Sequence, residues 1–232
     1  MRPVRLIDLG LSGYGETWEK QEALMKEIIE QKLANQQLSE ADRKETAGYL
    51  LFVEHPPVYT LGKSGEEQNL LMSAAQLADR EIGFFRTNRG GDITFHGPGQ
   101  LVGYPIFDLE NFGMGLRRYI ESVEEVVIRA LQRFGIVSSR DSEATGVWLD
   151  TGKPGARKIC ALGVKSSRFV TMHGFALNVN TDLTFFDNIN PCGIIGKGVT
   201  SMEKELGRKI PMDEVKREVR HQFASIFGIV FD

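Results

Sequence analysis

Arg89-Gly90-Gly91-Asp92-Ile93-Thr94-Phe95-His96-Gly97-Pro98-Gly99-Gln100-Leu101-Val102-Gly103-Tyr104 is the stretch around which the rest of the chain arranges itself. It holds five glycines, a proline, a histidine and an arginine between apolar runs. Glycine loses the most backbone entropy on folding and gives nothing to pack, so this density means that the main chain comes close to something. Strand-like runs lie within it at 91–95 and 101–107, rich in β-branched or aromatic residues and bounded by Gly, Pro or Asn. Working outward, residues 4–8, 48–54, 57–61, 145–149, 157–164 and 169–178 read the same way.

Helical periodicity separates these runs. Residues 17–34 place Trp18, Met25, Ile28, Ile29 and Leu33 on one stripe. Residues 116–134 repeat Leu116, Tyr119, Ile120, Val123, Val127, Ala130, Leu131 and Phe134 at three- and four-residue spacing and stop at Gly135. A third helix, 212–227, follows Pro211, turns Val215, Val219, Phe223 and Ile226 inward and ends at Gly228; a shorter one begins at Ser73. Strands cluster in the middle and helices fall at intervals. The expected fold class is therefore mixed α/β: mixed β-sheets covered by helices, with loops forming a pocket on one side. No internal repeat or long linker divides the chain, so residues 1–232 read as one domain.

The 232 residues are 41% hydrophobic and 25% charged with a net charge of −3, a balance that gives no global field for nucleic acid. No apolar run approaches a membrane span and the N-terminus has no signal-peptide core, which points to the cytoplasm. Two cysteines form no disulfide framework. Residues 151–170 carry Lys153, Arg157, Lys158, Lys165 and Arg168 with no acidic residue, a stretch expected to dock an acidic partner or to form a solvated basic face.

Two apparent motifs fail. Gly62-Lys63-Ser64 resembles the end of a phosphate loop, but the required earlier glycine is Pro57; Gly13-Tyr14-Gly15 lacks its third glycine because Trp18 stands there. His55, His96, His173 and His221 show no metal-ligand spacing with each other or with a cysteine, so no metal is expected. Cys192 lies between Pro191 and Gly193, which places its thiol on a shaped loop. Cys160 sits in an apolar strand run, yet alternation puts it on the face of Lys158, so it competes for the lysine's field. A free thiol titrates near ~8.5, and lowering that by two units takes about 2.7 kcal/mol. A cation about 4 Å away at an effective dielectric near 20 supplies roughly 4 kcal/mol before desolvation, so a single lysine suffices. His96 and His173 read equally as bases and as hydrogen-bonded pocket walls. Gly163 and Gly174 interrupt apolar strands, as expected where backbone passes close to a ligand or a crowded neighbour, and their N–H groups are candidate oxyanion donors.

Taken in order, these pieces resemble the lipoyl(octanoyl) transferases, of the biotin/lipoate protein ligase-like superfamily. The resemblance runs through His55-Pro56-Pro57-Val58-Tyr59-Thr60-Leu61-Gly62, Arg89 to Gln100, and Arg157-Lys158-Ile159. It continues in His173-Gly174-Phe175-Ala176-Leu177-Asn178-Val179-Asn180, Asn190-Pro191-Cys192-Gly193 and Thr200-Ser201. It implies transfer of an octanoyl group from octanoyl-acyl carrier protein to a lysine of lipoyl domains, those of 2-oxoacid dehydrogenases and glycine cleavage H protein. That is the first step of protein lipoylation in endogenous lipoate biosynthesis, with no cofactor. It assigns Cys192 as the nucleophile that carries the acyl group as a thioester and Lys158 as the lysine that depresses the thiol's pKa. It further implies that Arg89, Gly90, Gly91, Asp92, Ile93, Thr94, Phe95, His96, Ala161, Leu162, Gly163, Gly174, Phe175 and Ala176 line the substrate.

The chemistry agrees. A thioester is already activated and needs a thiolate, an acyl tunnel and oxyanion donors, but no ATP. The amide-forming step needs a neutral amine, and Lys158, His96 and the departing thiolate are all candidate acceptors of its proton. A lipoate or biotin ligase would use ATP; against it, the segment reads Arg-Gly-Gly-x-x-Thr-Phe-His-Gly-Pro-Gly, unlike the ligases' Ser-Gly-Gly-Gly type, and Cys192 would have no task. A non-catalytic module binding acyl carrier protein or lipoyl domains is the alternative from another class.

Overall fold

Residues 2–46, 48–190 and 197–232 are described by the computed structural model. The chain runs through β1 (Arg2–Leu11), α1 (Tyr14–Asn35), β2 (Tyr49–Glu54), β3 (Val58–Leu61), α2 (Ala74–Asp79), β4 (Gly83–Arg86), β5 (Ile93–His96) and β6 (Gln100–Ile106). There follow α3 (Leu116–Arg133), β7 (Ser139–Arg140), β8 (Val147–Leu149), β9 (Arg157–Ser167), β10 (Val170–Asn178), β11 (Gly198–Val199), α4 (Met202–Leu206), α5 (Met212–Phe227) and β12 (Ile229–Phe231). The main sheet has the order β12-β1-β2-β6-β10-β9-β8-β7, with β11 pairing β9; a smaller sheet has the order β4-β3-β5. Both are mixed: β1 pairs parallel with β12 and β2, whereas β2–β6, β6–β10 and β10–β9 are antiparallel.

Strand alternation sorts the core onto the two faces of the sheet. Leu50 and Phe52 of β2, with Leu101, Phe175 and Leu177, face Tyr119, Val123 and Val127 of α3 and Val219, Phe223 and Phe227 of α5. Their neighbours Leu51, Val53, Val102, Tyr104 and Met172 face Met25 and Ile28 of α1. A fully buried side chain of this size contributes roughly 1.5–3 kcal/mol. Gly103 on β6 leaves the room that the Phe175 ring takes from β10, since a Cβ there would overlap that ring.

α3 and α5 follow their expected bounds closely, with Gly135 and Gly228 at positive φ where each helix stops. The expected short helix starts from a Ser73 capping box with Gln76. α1 differs in which face is buried. Its buried residues are Tyr14, Thr17, Gln21, Met25 and Ile28, while Leu33 is 38% exposed and Trp18 half-buried. The cause is Gln21, whose Oε1 accepts the His173 N–H at 2.9 Å and turns polar residues of the helix inward.

The basic stretch does not form one patch. Arg157 donates to Asp150 and Glu205, Lys158 lines a cavity, and Lys153 and Arg168 stand beyond opposite ends of the 11-residue strand β9. At about 3.3 Å per residue, such a strand separates its ends by roughly 33 Å.

Candidate active site

A cavity of about 540 Å³ opens over β9 and β10 beside β5 and the loop that precedes it. It adjoins a chamber of about 40 Å³, the two sharing Arg89, Thr94, Ala161, Leu162 and Ala176. Gly91, Asp92 and Ile93 line the larger space, and His96, Gly163, Gly174 and Phe175 the smaller. Of the expected substrate-lining residues, Gly90 and Phe95 line neither. Gly90 N–H donates to Val164 O at 2.9 Å, and the Phe95 ring stacks on Phe185 at 4.4 Å in the core under the small sheet.

The glycine-rich loop is held by main-chain bonds. Lys63 N–H donates to Arg89 O at 2.9 Å, Ser64 N–H to Gly91 O at 3.1 Å and Gly62 N–H to Asp92 O at 3.2 Å. The rejected phosphate-loop triplet is thus the brace of this loop. Gly91 has φ +86°, open to glycine at little cost. Gly163 and Gly174 pair across the β9–β10 ladder. A Cβ on Gly174 would overlap the Gly103 carbonyl, and one on Gly163 would stand 2.9 Å from Gly90 O. The crowded neighbour is by itself sufficient to require glycine at both positions, which also line the smaller chamber.

Arg89 is buried against this loop. One guanidinium nitrogen donates to Thr60 O at 2.6 Å and Thr60 Oγ1 at 2.9 Å, the other to Gly90 O at 3.0 Å, while Nε has no partner among the described residues. His96 donates from Nδ1 to Gln100 Oε1 at 2.8 Å and accepts at Nε2 from Thr60 Oγ1 at 3.3 Å. Burial, then the neighbouring His55, holds its pKa well below the ordinary histidine value. His55 donates to Ser12 O and accepts from the Tyr104 hydroxyl, both at 2.8 Å, and burial lowers its pKa to about 4. His173, at φ +59°, donates from Nε2 to Asn88 Oδ1 at 2.7 Å, and burial brings it down to about 3. Both ring nitrogens of His55 and His96 are occupied, and all three rings are neutral at physiological pH. They are walls of the chamber and its surroundings.

From His96 a polar chain crosses the sheet: Gln100 Nε2 donates to Asn178 Oδ1 at 2.8 Å, Asn178 Nδ2 to Thr200 O at 3.0 Å, and Thr200 N–H to Lys158 O at 2.9 Å. Four motifs far apart in sequence therefore meet here. Lys158 lines the large cavity, with its ammonium 4.7 Å from the Trp148 ring centroid. Burial lowers its pKa. Cys160 is 0% exposed, and burial pushes its thiol well above the ordinary value, so the competitor for the lysine's field is a protonated core residue. Cys192 lies outside the described residues; Asn190 and Lys197, on either side of that segment, line the large cavity.

Sequence reading passed over Tyr14, Tyr104, Trp148, Asn178 and Lys197 as lining or supporting groups. Tyr104 carried a signal, standing at the end of the glycine-rich run, as did Asn178, which shares its strand with Gly174. Trp148 and Lys197 carried none, because only the sheet brings them to Lys158.

The family model of the lipoyl protein ligase A/B catalytic domain matches residues 14–224. An octanoyltransferase of Flavobacterium johnsoniae is 54% identical over 227 residues, covering 97% of each chain. One from Christiangramia forsetii is 52% identical over 227 residues, 97% of this chain and 96% of its own. Among solved structures, an archaeal lipoylation system of Thermoplasma acidophilum, a bipartite lipoate protein ligase and its E2 lipoyl domain, superposes with a TM-score of 0.66 at 16% identity. That match covers 100% of this chain and 86% of the other, a likeness of fold. The chain thus belongs to the octanoyltransferases, acyltransferases of the lipoyl protein ligase A/B catalytic-domain family.

Proposed function

We propose that residues 1–232 act as one catalytic domain that transfers an octanoyl group from octanoyl-acyl carrier protein to a lysine of a lipoyl domain in the cytoplasm. The acceptor domains are those of 2-oxoacid dehydrogenases and glycine cleavage H protein. Cys192 attacks the donor thioester and holds the acyl group, and Lys158 stabilises the thiolate. The observation that carries this reading is a lysine whose ammonium faces a cavity of about 540 Å³, at the point where the chain enters and leaves the Cys192 segment. The cavity falls within the range of small-molecule sites, and its floor of Ala161, Leu162 and Ala176 suits an alkyl chain.

Attack by Cys192 exchanges one thioester for another and releases the carrier thiol. The acceptor amine then displaces Cys192, forming an amide and regenerating the thiol form of the enzyme. The buried, neutral His96 has both nitrogens engaged; in this reading the amine's proton goes to the departing Cys192 thiolate, or to Lys158 once its ammonium has given a proton to the carrier thiolate. No step requires ATP. Transfer is measured as the mass gain of a purified lipoyl domain mixed with enzyme and octanoyl-acyl carrier protein. A gain of one octanoyl group without ATP is expected; transfer that requires ATP and free octanoate instead would make the chain a ligase.

A further inference from the structure

Lys158 makes no hydrogen bond or ion pair from its ammonium among the described residues; what it has is the face of Trp148, 4.7 Å away. A second ammonium, that of Lys197, lies 5.1 Å from the same ring centroid and lines the same cavity. The ring is a fixed platform: Trp148 is 0% exposed and its indole N–H donates to Ala144 O at 2.9 Å. The Lys158 stem lies in a slot against Gly146, where a Cβ would stand 3.2 Å from Lys158 Cε and 2.7 Å from Cys160 O. Lys197 is held by Asp141 at 2.8 Å and Glu143 at 3.6 Å.

We propose that Lys197 is a positioning residue for Lys158, its charge brought to the shared Trp148 ring by Asp141 so that it sets how readily Lys158, and the thiol that Lys158 serves, hold protons. The proposal rests on the reading of Lys158 above. The other groups facing Lys158 are already committed. Glu124 accepts from Gly146 N–H at 2.8 Å and pairs with Arg140 at 3.2 Å, Asp141 is paired with Lys197, and Cys160 is buried and protonated. Arg157, next in the chain, is turned to Asp150 and Glu205. Removing Lys197 therefore withdraws a positive charge and uncovers the Asp141 carboxylate. The freed Asp141 carboxylate then draws the Lys158 ammonium to itself, which raises the proton affinity of Lys158 and takes its charge away from the thiol it serves, whose proton affinity rises in turn.

The test compares wild type, Lys197→Met, Lys197→Arg, Lys158→Met and the Lys197→Met/Lys158→Met double variant. Two readouts are taken: the pH profile of kcat/KM for octanoyl transfer, and the pH midpoint of Cys192 alkylation by iodoacetamide, which needs no turnover. Lys197→Met is expected to move both kinetic limbs and the alkylation midpoint to higher pH by roughly 0.3–1 unit at low ionic strength, less at high salt. Lys197→Arg should keep wild-type values, and Lys197→Met should add little once Lys158 is gone. Wild-type profiles in Lys197→Met, or a shift that persists undiminished in the double variant, overturn the proposal. An alkylation midpoint unchanged in Lys158→Met overturns instead the role given to Lys158. A purely structural role for Lys197 would lower the melting temperature without moving either midpoint.

Discussion

At the residue scale the account turns on Lys158, a cation half out of water on an indole face. Its effect on a thiol is a matter of thiolate fraction, so it depends on pH. Lys158→Met should slow formation of the octanoyl adduct on Cys192 about 100-fold near neutral pH, the equivalent of two pKa units. Much of the rate should return as pH approaches 9, where the thiol ionises unaided. Rapid-quench mass spectrometry at the two pH values measures this; equal losses at both would mean that Lys158 does something other than stabilise a thiolate. Cys160 gives the opposite expectation. With its thiol 0% exposed and pushed up by burial, native protein should not be alkylated there, and peptide mapping should find the label on Cys160 only after denaturation. Ready labelling in the native state would reopen it as a nucleophile.

At the element scale, what positions the site is the close approach of β6, β10 and β9. Gly103 admits the Phe175 ring and Gly174 admits the Gly103 carbonyl. Gly174→Ala should therefore cost about 1–3 kcal/mol or more through forced strand separation, measured by urea unfolding. Gly115→Ala, at the start of α3 with open space around it, should stay within ~0.5 kcal/mol. Equal effects at the two glycines would contradict the packing argument. The same elements divide what sequence reveals from what it hides. α3 and α5 were legible because their apolar residues recur at helical spacing and glycine ends them. β4 was not: Gly83-Phe84-Phe85-Arg86 is four residues with no alternation, and its pairing with β3 is a long-range event. The buried face of α1 departs from its apolar stripe where Gln21 serves the His173 backbone, which no local pattern records. Within the site, the glycine runs marked the walls, while the Trp148 platform depends on a register shift between β8 and β9.

At the scale of the whole molecule, three neutral histidines are buried, two of them, His96 and His173, in the field of the buried Arg89. His55 titrates near 4 and His173 near 3, against an ordinary value of 6.5, and His96 is lowered too. A folded-state pKa below the unfolded one means that the unfolded chain takes up the proton first. Stability is therefore full above about pH 6.5, falls as pH drops toward 4, and levels once both states are protonated. At 1.36 kcal/mol per unit, His55 alone contributes a loss of up to about 3 kcal/mol. Melting temperatures between pH 7.5 and 4 should fall steadily, and His55→Gln should flatten part of that slope. A melting temperature independent of pH in this window would contradict the burial of neutral rings. The basic stretch gives the converse lesson: charges adjacent in sequence were scattered by an extended strand and by the Asp150 and Glu205 pairs, which no count of residues could show.

The central claim, an acyl group carried on Cys192 without ATP, is tested most directly by the intact mass of the enzyme after mixing with octanoyl-acyl carrier protein alone. Wild type, Cys192→Ser and Cys160→Ser are compared, each with and without hydroxylamine. The expected result is one hydroxylamine-labile octanoyl adduct on wild type and Cys160→Ser and none on Cys192→Ser. An adduct that survives in Cys192→Ser, or no adduct on any of the three while the acceptor domain is still octanoylated, would contradict it.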